Sequence, residues 1–260
     1  MSEAKSTRPR TGDIDSGEAV LRIDGVTKVY GSGEAAVNAL DGVWLGVAKG
    51  SFTAIMGPSG SGKTTLLQVM AGLDRPTQGK VFIGNDEVSA MNEGQLTELR
   101  RHKIGFIFQA HNLLPTLSAE ENILLPLIIA GERPDFGWFH RVVGAVGLEN
   151  RLDHRPYELS QGQQQKVATA RALITRPMLV LADEPTGNLD SRSSSELLVF
   201  LADTMAGFSQ TVVMVTHDHQ VAEYAQRIVF ISDGKVVDEA TGRKSVLFPG
   251  QVGPQDSHLA

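Results

Sequence analysis

The sequence predicts an α/β fold in which apolar strands alternate with helices around a central sheet. Three features lead to this prediction: short apolar runs of strand length, helical runs between them, and polar or glycine-rich residues where the strands end. The clearest example is at residues 52–71. There an apolar run leads into a glycine-rich loop, and a run of helical character follows.

The glycine-rich loop fits the pattern G-x-x-x-x-G-K-[ST], which binds the phosphates of nucleotides. Its glycines let successive backbone N–H groups turn toward one anion, and the start of the next helix adds partial positive charge. Lys63 can reach the β- and γ-phosphates, and the Thr64 hydroxyl can bind Mg²⁺. The predicted phosphate-binding residues are Gly57, Pro58, Ser59, Gly60, Ser61, Gly62, Lys63, Thr64 and Thr65.

Composition narrows the class of protein. The 260 residues are 41% hydrophobic and 21% charged, which is enough apolar material for a packed core. The net charge of −6 argues against a general nucleic-acid binder. There is no cysteine, which excludes disulfides, thiol catalysis and cysteine metal sites. No apolar run has the length of a membrane span, and we expect residues 1–18 to be a disordered tail.

Further strands are predicted on both sides of the loop. Residues 21–26 and 40–47 have the character of strands with turn-forming glycines, and residues 79–84 suggest a hairpin strand. Between the first two lies Tyr30, which is either a strand aromatic half in the core or a platform for an adenine ring. Spacing alone favours the strand aromatic. Residues 92–102 are predicted to form a polar helix.

Residues 103–109 form the next predicted strand, which ends on Gln109 as the chain leaves it. Ligands of open α/β sheets lie at the carboxyl ends of strands, so Gln109 is a candidate for a metal or water contact. By itself, a surface loop residue is the simpler interpretation. Helical periodicity then replaces strand character, and we expect a helical subdomain over about residues 110–176. One apolar stripe in it is predicted to face the core, formed by Phe136, Phe139, Val142, Val143 and Val146.

Ser160 and Gln163 form a predicted capping box at the start of the next helix. A good helix start is one interpretation, and an anion site at that helix N-terminus is the other. Residues 178–185 then form a predicted fully buried strand that ends on two adjacent carboxylates, Asp183 and Glu184. Because successive strand side chains point in opposite directions, one acid can face a metal and the other a water. In a P-loop protein this is the Walker B pattern.

The last third of the chain supplies two more candidates. Asp190 is predicted to cap a helix over about residues 191–206. His217 ends the predicted buried strand at 211–216, at the same sheet edge as Gln109 and Glu184. Two closing strands are predicted around a turn at Asp233-Gly234, and residues 241–260 are expected to form a loose tail.

Taken in order, these motifs resemble the nucleotide-binding subunit of an ABC transporter. The ordered set comprises Tyr30, GPSGSGKTT, Gln109, LSQGQ, LVLADE, NLD and the Thr-His-Asp around His217, and it covers about residues 21–240. Residues 55–58, 108–117 and 185–190 resemble one branch, which includes lipoprotein-release, macrolide-efflux and haem-export proteins and the cell-division ATPase. The resemblance implies an ABC-type P-loop NTPase over residues 19–240. Its RecA-like mixed sheet would carry an antiparallel β subdomain and the inserted helical subdomain.

The resemblance also implies roles for the matching positions. Tyr30 would stack on adenine. Glu184 would be the general base and His217 would contact the γ-phosphate. Mg²⁺ would be arranged by Thr64, Gln109 and Asp183, partly through water. Two copies would meet head to tail, so that ATP on one copy is closed over by residues of the other. Those residues are Ser160, Gly162 and Gln163, with Asp190 at the dimer contact.

One position departs from the family pattern. The usual signature has glycine where this chain has Gln161, and Lys166 replaces a common arginine. If the backbone at 161 needed φ > 0, glutamine there would cost about 1 kcal/mol or more. We expect a working signature with an altered hydrolysis rate.

The function that the resemblance implies is an ATP-binding, ATP-hydrolysing subunit that drives a membrane permease for export or extraction of a hydrophobic or amphipathic substrate. Such a subunit would lie peripherally at the cytoplasmic face of the membrane, with ATP and Mg²⁺ as cofactors and no nucleic-acid partner. Two alternatives stay open. One is a regulatory ATPase that moves a membrane partner without transport. The other is a soluble ABC ATPase acting on ribosomes or DNA, although this chain lacks the zinc cysteines, coiled coils or second cassette common in that class.

Overall fold

The computed structural model describes residues 19–187 and 191–242, and these form two β-sheets with helices packed against them. Asp190, the predicted tail of residues 1–18, and residues 243–260 of the predicted tail at 241–260 lie outside the described residues. None of the described helices has the length and apolar character that a membrane span requires.

The smaller sheet is antiparallel and has the strand order β2-β1-β4-β5. Its strands are β1 (Ala19–Tyr30), β2 (Val37–Ala48), β4 (Gln78–Ile83) and β5 (Asp86–Glu87). The two long strands extend the predicted ones at both ends. Their pairing brings Tyr30, at the end of β1, opposite Val37.

The larger sheet has the strand order β10-β9-β3-β8-β7-β6, and only β10 runs antiparallel to its neighbour. Its strands are β3 (Phe52–Met56), β6 (Ile104–Ile107), β7 (Leu179–Asp183), β8 (Val212–Thr216), β9 (Arg227–Ser232) and β10 (Lys235–Ala240). Because β3, β8, β7 and β6 are parallel, the residues that follow them emerge at one edge of the sheet. The predicted mixed sheet is confirmed.

Helices cover both faces of the larger sheet. They are α1 (Lys63–Met70), α2 (Glu93–Lys103), α3 (Ala119–Ala130), α4 (Phe136–Val146), α5 (Gln161–Leu173), α6 (Ser191–Gly207) and α7 (His219–Ala222). Strand β3 is buried on both faces, as expected for a parallel strand between helices. Phe52, Ala54 and Met56 join the cluster under α3, α4 and α5, whereas Ile55 joins the cluster under α1 and the antiparallel sheet.

Two predicted core positions are wrong. Phe136 is 58% exposed, whereas the other members of its stripe are buried. Phe136 is the first residue of α4. Its exposed ring makes an edge contact with the buried ring of Phe139, and the two centroids are 6.5 Å apart. Met178 is 40% exposed because it precedes β7, so the strand predicted to be buried throughout begins one residue later.

Candidate functional site

A cavity of about 810 Å³ lies at the carboxyl edge of the larger sheet. It joins parts of the chain that are far apart in sequence: the start of β2, the loop and helix after β3, and the ends of β7, β8 and β9. The lining residues are Val37, Asn38, Ala39, Pro58, Ser59, Gly60, Gly62, Lys63, Thr64, Thr65, Glu184, His217 and Asp233.

The glycine-rich loop is held tightly between its neighbours. At Gly57 an added Cβ would overlap the carbonyl oxygen of Ile231 at the end of β9. At Gly62 it would overlap the carbonyl oxygen of Ala39 in β2, and this residue also has φ of 101°. Only glycine fits both positions without a shift of the backbone. The loop therefore lies close to β2 and β9 with its backbone facing the cavity.

Lys63 is the first residue of α1 and is 6% exposed. Its ammonium donates hydrogen bonds to the carbonyl oxygens of Gly57 and Pro58, at 2.8 and 2.7 Å. The cation is thus held inside the loop, and Thr64 and Thr65 line the cavity beside it. This is the arrangement of charge and hydroxyl groups that a polyphosphate requires.

The two carboxylates after β7 lie in different environments. Asp183 ends the strand, and burial together with the neighbouring Glu184 charge raises the pKa of its carboxyl, with Lys63 acting in the opposite direction. Glu184 has a left-handed backbone with φ of 41°, and its N–H donates to the carbonyl oxygen of Val215 at 2.9 Å. This turn directs the Glu184 side chain into the cavity, which Asp183 does not line.

Glu184 and His217 form a hydrogen-bonded pair. The Glu184 Oε1 and His217 Nδ1 atoms are 2.9 Å apart, and both residues line the cavity. The pairing follows from strand order, since β7 and β8 are adjacent and parallel, with Asp183 opposite Val215. An imidazole with its proton on Nδ1 donates to the carboxylate and so fixes its orientation.

Gln109 follows β6 by two residues but does not line the cavity. Its side-chain amide packs against Gly187, where any added Cβ would overlap it. The structure therefore brings Gln109 next to the segment that leaves Glu184. Tyr30 also lies outside the lining, at the rim, beside the cavity residue Val37.

The predicted capping box is confirmed at the start of α5. The Ser160 hydroxyl accepts from the Gln163 N–H at 3.3 Å, and the Gln163 side chain accepts from the Ser160 N–H at 2.9 Å. An added Cβ at Gly162 would meet nothing within 4 Å. None of these three residues lines the cavity. The signature segment presents an uncovered helix N-terminus away from the phosphate-binding loop of its own chain.

The Gln161 backbone does not need φ > 0. Gln161 is the first residue of α5 and is absent from the residues with positive φ. The condition under which glutamine would strain the signature is therefore not met, because the preceding Ser160 already takes the extended conformation of a helix cap.

Sequence reasoning missed four residues of the cavity lining: Val37, Asn38, Ala39 and Asp233. Asp233 was recognised only as part of a turn, and it is brought to the cavity by contacts between distant segments. The N–H of Gly234 donates to the Ser61 carbonyl oxygen at 3.0 Å, and the Gly234 carbonyl oxygen accepts from the Asp41 N–H at 2.9 Å. No local pattern in the sequence signals these contacts.

A second concavity, a groove of about 410 Å³, lies between α2, β6, α3 and α5. Its apolar lining includes Phe106, Phe108, Leu125, Pro126 and Ile129. Its basic lining is Arg100, Arg101 and Arg171. Phe106 and Phe108 stack on each other with centroids 5.4 Å apart, so the groove has a flat aromatic part beside its positive charge.

Comparison with known proteins agrees with this geometry. The family model described as ABC transporter matches residues 40–187. The chain is 48% identical over 221 residues to the lipoprotein-releasing system ATP-binding protein LolD of Geobacter metallireducens, covering 84% of this chain and 98% of that protein. It is 44% identical over 93% of its length to the macrolide export ATP-binding/permease protein MacB of Chlorobaculum tepidum, of which it spans 37%.

Among solved structures, the chain is similar to the ATP-binding cassette MJ0796 of Methanocaldococcus jannaschii, in a dimeric post-hydrolysis state bound to ADP and Pi. The two are 41% identical with a TM-score of 0.75, over 85% of this chain and 98% of the other.

Proposed function

This chain belongs to the ABC transporter family, and we propose that it is the ATP-hydrolysing subunit of an export or extraction complex whose permease is a separate chain. As an ABC ATPase it couples ATP hydrolysis to transport. The observation that carries the proposal is the shared cavity, where the Glu184–His217 pair lies with Lys63 and Thr64.

In this proposal Glu184 is the general base. It accepts a proton from the water that attacks the γ-phosphate, and His217 orients its carboxylate through the 2.9 Å hydrogen bond. The backbone bond from Glu184 to Val215 holds the turn in place, so the carboxylate does not need to reorganise during the reaction. Lys63 and the loop N–H groups bind the β- and γ-phosphates, where negative charge develops.

The available donors fit Mg²⁺ as the second cofactor. This ion prefers oxygen ligands, keeps several waters and takes only one or two carboxylates. The Thr64 hydroxyl lines the cavity and Asp183 ends the adjacent strand, with Gln109 as a contact through water. When bound, the ion neutralises charge on the β- and γ-phosphates.

The active unit in this proposal is a dimer in which each nucleotide is shared by two chains. The signature residues Ser160 and Gly162 are uncovered and lie outside their own chain's cavity, which supports a role on a second copy. A helix N-terminus with free space above Gly162 is suited to approach by a phosphate. The similarity to a dimeric cassette bound to ADP and Pi supports the same arrangement.

The groove beside β6 is the proposed contact with the permease. Its aromatic and aliphatic lining suits the apolar side of a short helix, and the positive charge of Arg100 and Arg171, neither of which is paired with a carboxylate among the described contacts, favours acidic groups on that helix. Asn112, which lines the groove, lies three residues from Gln109. A displacement of the groove residues would therefore be passed along a short segment to the proposed water contact of Mg²⁺. In this proposal the subunit lies peripherally at the cytoplasmic face of the membrane.

The proposed cargo is hydrophobic or amphipathic. The support is similarity alone: one relative is a lipoprotein-releasing system protein and another a macrolide export protein. Cargo selection would then lie in the permease.

Two neighbouring isoleucines test the permease contact. Ile128 and Ile129 are 59% and 66% exposed on α3, but only Ile129 lines the groove. We expect Ile129→Asp to abolish co-purification with the permease and Ile128→Asp to retain it, with basal ATPase activity preserved in both. If both variants retained the permease equally well, the groove would not be the docking face.

Reconstitution of the complex in vesicles tests the transport function itself. Cargo flux that scales with ATPase activity is expected. ATP hydrolysis that moves the permease without flux would instead favour the regulatory class of ABC ATPase.

A further inference from the structure

The side chains of Asp74 and Lys28 contact Tyr30, one at its hydroxyl and the other over its ring. The Tyr30 hydroxyl donates to Asp74 Oδ2 at 2.6 Å. The other carboxylate oxygen, Oδ1, accepts from the Lys28 ammonium at 2.5 Å. The same ammonium lies 4.8 Å from the centroid of the Tyr30 ring and donates to the Arg75 carbonyl oxygen at 2.8 Å.

This arrangement fixes both the ring and its hydroxyl. Lys28 and Tyr30 are two residues apart on β1, so their side chains leave the strand on the same side. The Lys28 side chain is only 12% exposed, whereas Tyr30 is 40% exposed. A cation therefore covers one face of the ring, and the exposed area that remains is available to a flat ligand.

Asp74 comes from the loop that ends the phosphate-binding helix α1. After Gly72, with φ of 62°, the N–H groups of Leu73 and Asp74 both donate to the Gln68 carbonyl oxygen, at 2.9 and 3.3 Å. The loop is also bonded to β1, since the Val29 N–H donates to the Thr77 hydroxyl at 3.0 Å. One rigid helix thus carries Lys63 at its start and the anchor of Tyr30 just beyond its end.

We propose that Asp74 is a positioning residue for the nucleobase, which together with Lys28 holds the Tyr30 ring at a set distance from the phosphate-binding loop and leaves one face for stacking. The inference rests on the proposed ATP-hydrolysing function and on the stacking of adenine on Tyr30 that the family resemblance implies. It adds the residue that sets where the platform lies relative to the phosphates.

The protonation states are consistent with this role. Burial disfavours the charged form of Asp74, but the hydrogen bonds from Lys28, Tyr30 and the Arg75 N–H outweigh it and lower the pKa of the carboxyl. Burial and the bond to Asp74 raise the pKa of Tyr30. At neutral pH the hydroxyl is therefore a donor and the carboxylate an acceptor, as a short charge-assisted bond requires.

The test separates base binding from phosphate binding. The affinities of the purified full chain for ATP and for inorganic tripolyphosphate, which has no base, are measured by calorimetry. Asparagine has only one acceptor oxygen for the two donors, Lys28 and Tyr30, so we expect Asp74→Asn to weaken ATP binding about fivefold and to leave tripolyphosphate binding unchanged. Tyr30→Phe, which keeps the ring and loses the hydroxyl, should match it. The double variant should lose little more ATP affinity than either single variant, because both changes act on the same bond between Tyr30 and Asp74.

Asp24→Asn is the matched control. Asp24 lies in β1 and forms an ion pair with Arg22 at 3.1 Å. Its side chain is 28% exposed, the same fraction as that of Asp74. It should leave both affinities unchanged. An equal loss of tripolyphosphate affinity in Asp74→Asn would show a general structural role and overturn the inference.

Two further outcomes distinguish this inference from the proposed function. If Tyr30→Ala weakens ATP binding while Asp74→Asn does not, stacking stands and positioning by Asp74 is wrong. If Tyr30→Ala leaves ATP affinity unchanged, the base does not stack on Tyr30 and both the inference and that part of the proposed site fail.

Discussion

At the scale of single residues, the chemistry of the site depends on the backbone conformations of Asp183 and Glu184, which direct their side chains to different places. Glu184 enters the cavity through a left-handed turn with φ of 41°, and Asp183, one residue earlier, remains in the strand. Burial and the adjacent charge raise the pKa of Asp183, whereas Glu184 is bonded to His217. This difference between two adjacent acids supports the proposed roles, a cation contact for Asp183 and a base for Glu184.

Glu184→Gln tests the base. Glutamine has the same shape and can keep a hydrogen bond to His217, so the change removes charge and basicity alone. We expect unchanged ATP affinity, hydrolysis slower by about a hundredfold to ten-thousandfold, and accumulation of an ATP-bound dimer. Phosphate release and light scattering measure these effects. Near-normal turnover in this variant would falsify the general-base assignment.

Gln161→Gly tests whether the unusual signature residue limits the enzyme. Because Gln161 already has helical backbone angles, glycine relieves no strain and instead costs up to about 1 kcal/mol of helix stability. We expect ATPase activity within about threefold of wild type and a slightly lower melting temperature. A rise from no activity to robust activity would show instead that the native signature is defective.

At the scale of elements, α5 is bonded directly to the segment after β6. Arg171 on α5 donates to the carbonyl oxygens of His111 and Asn112, each at 2.6 Å. Both of those residues have left-handed backbones, with φ of 56° and 50°. The helix that carries the signature at its start therefore holds the loop that leads from Gln109 to the groove beside β6.

Arg171→Lys tests this connection. A lysine side chain is shorter and carries its donors on one nitrogen instead of two, so the bonds to the two carbonyl oxygens should be weakened. We expect a decrease of about 2 kcal/mol in the free energy of unfolding and faster amide exchange over residues 109–114. Denaturant titration and hydrogen exchange measure the two effects.

Arg151→Lys is the control for that substitution, since Arg151 donates to the carbonyl oxygen of its neighbour Asn150 and lies on the surface. It should alter neither quantity. Unchanged exchange over residues 109–114 in Arg171→Lys would mean that the loop is held by other contacts.

At the scale of the whole molecule, the two proposed halves of the nucleotide site do not meet within one chain. The cavity holds the phosphate-binding loop and Glu184, and the start of α5 lies outside the cavity. Two copies related by twofold symmetry would bring each half to its complement. Activity would then belong to the dimer.

Mixing two inactive variants tests shared sites. Lys63→Ala removes the phosphate-binding cation, and Ser160→Arg blocks the signature, so neither homodimer should hydrolyse ATP. In a mixed dimer one site is intact, since it combines the unaltered loop of one chain with the unaltered signature of the other. An equal mixture should therefore recover about a quarter of wild-type activity. Persistent inactivity on mixing would contradict sites shared between chains.

The sequence by itself determined the parts of this protein that depend on neighbouring residues. The strand, glycine loop and helix at residues 52–71, the capping box at Ser160, and the polar residues ending three buried strands all follow from local pattern, and the structure confirms these elements. The ordered motifs were also enough to identify the family, which the comparisons confirm.

Only the tertiary structure decided which of these parts meet. The position of β8 between β3 and β7 brings His217 to Glu184, and hydrogen bonds between distant segments bring Asp233 to the cavity. The position of Phe136 at the very start of α4 left its side chain exposed, and the loop after α1 brought Asp74 within hydrogen-bond distance of Tyr30. Strand order and loop contacts join residues tens to more than a hundred positions apart, and local periodicity carries no information about such pairs.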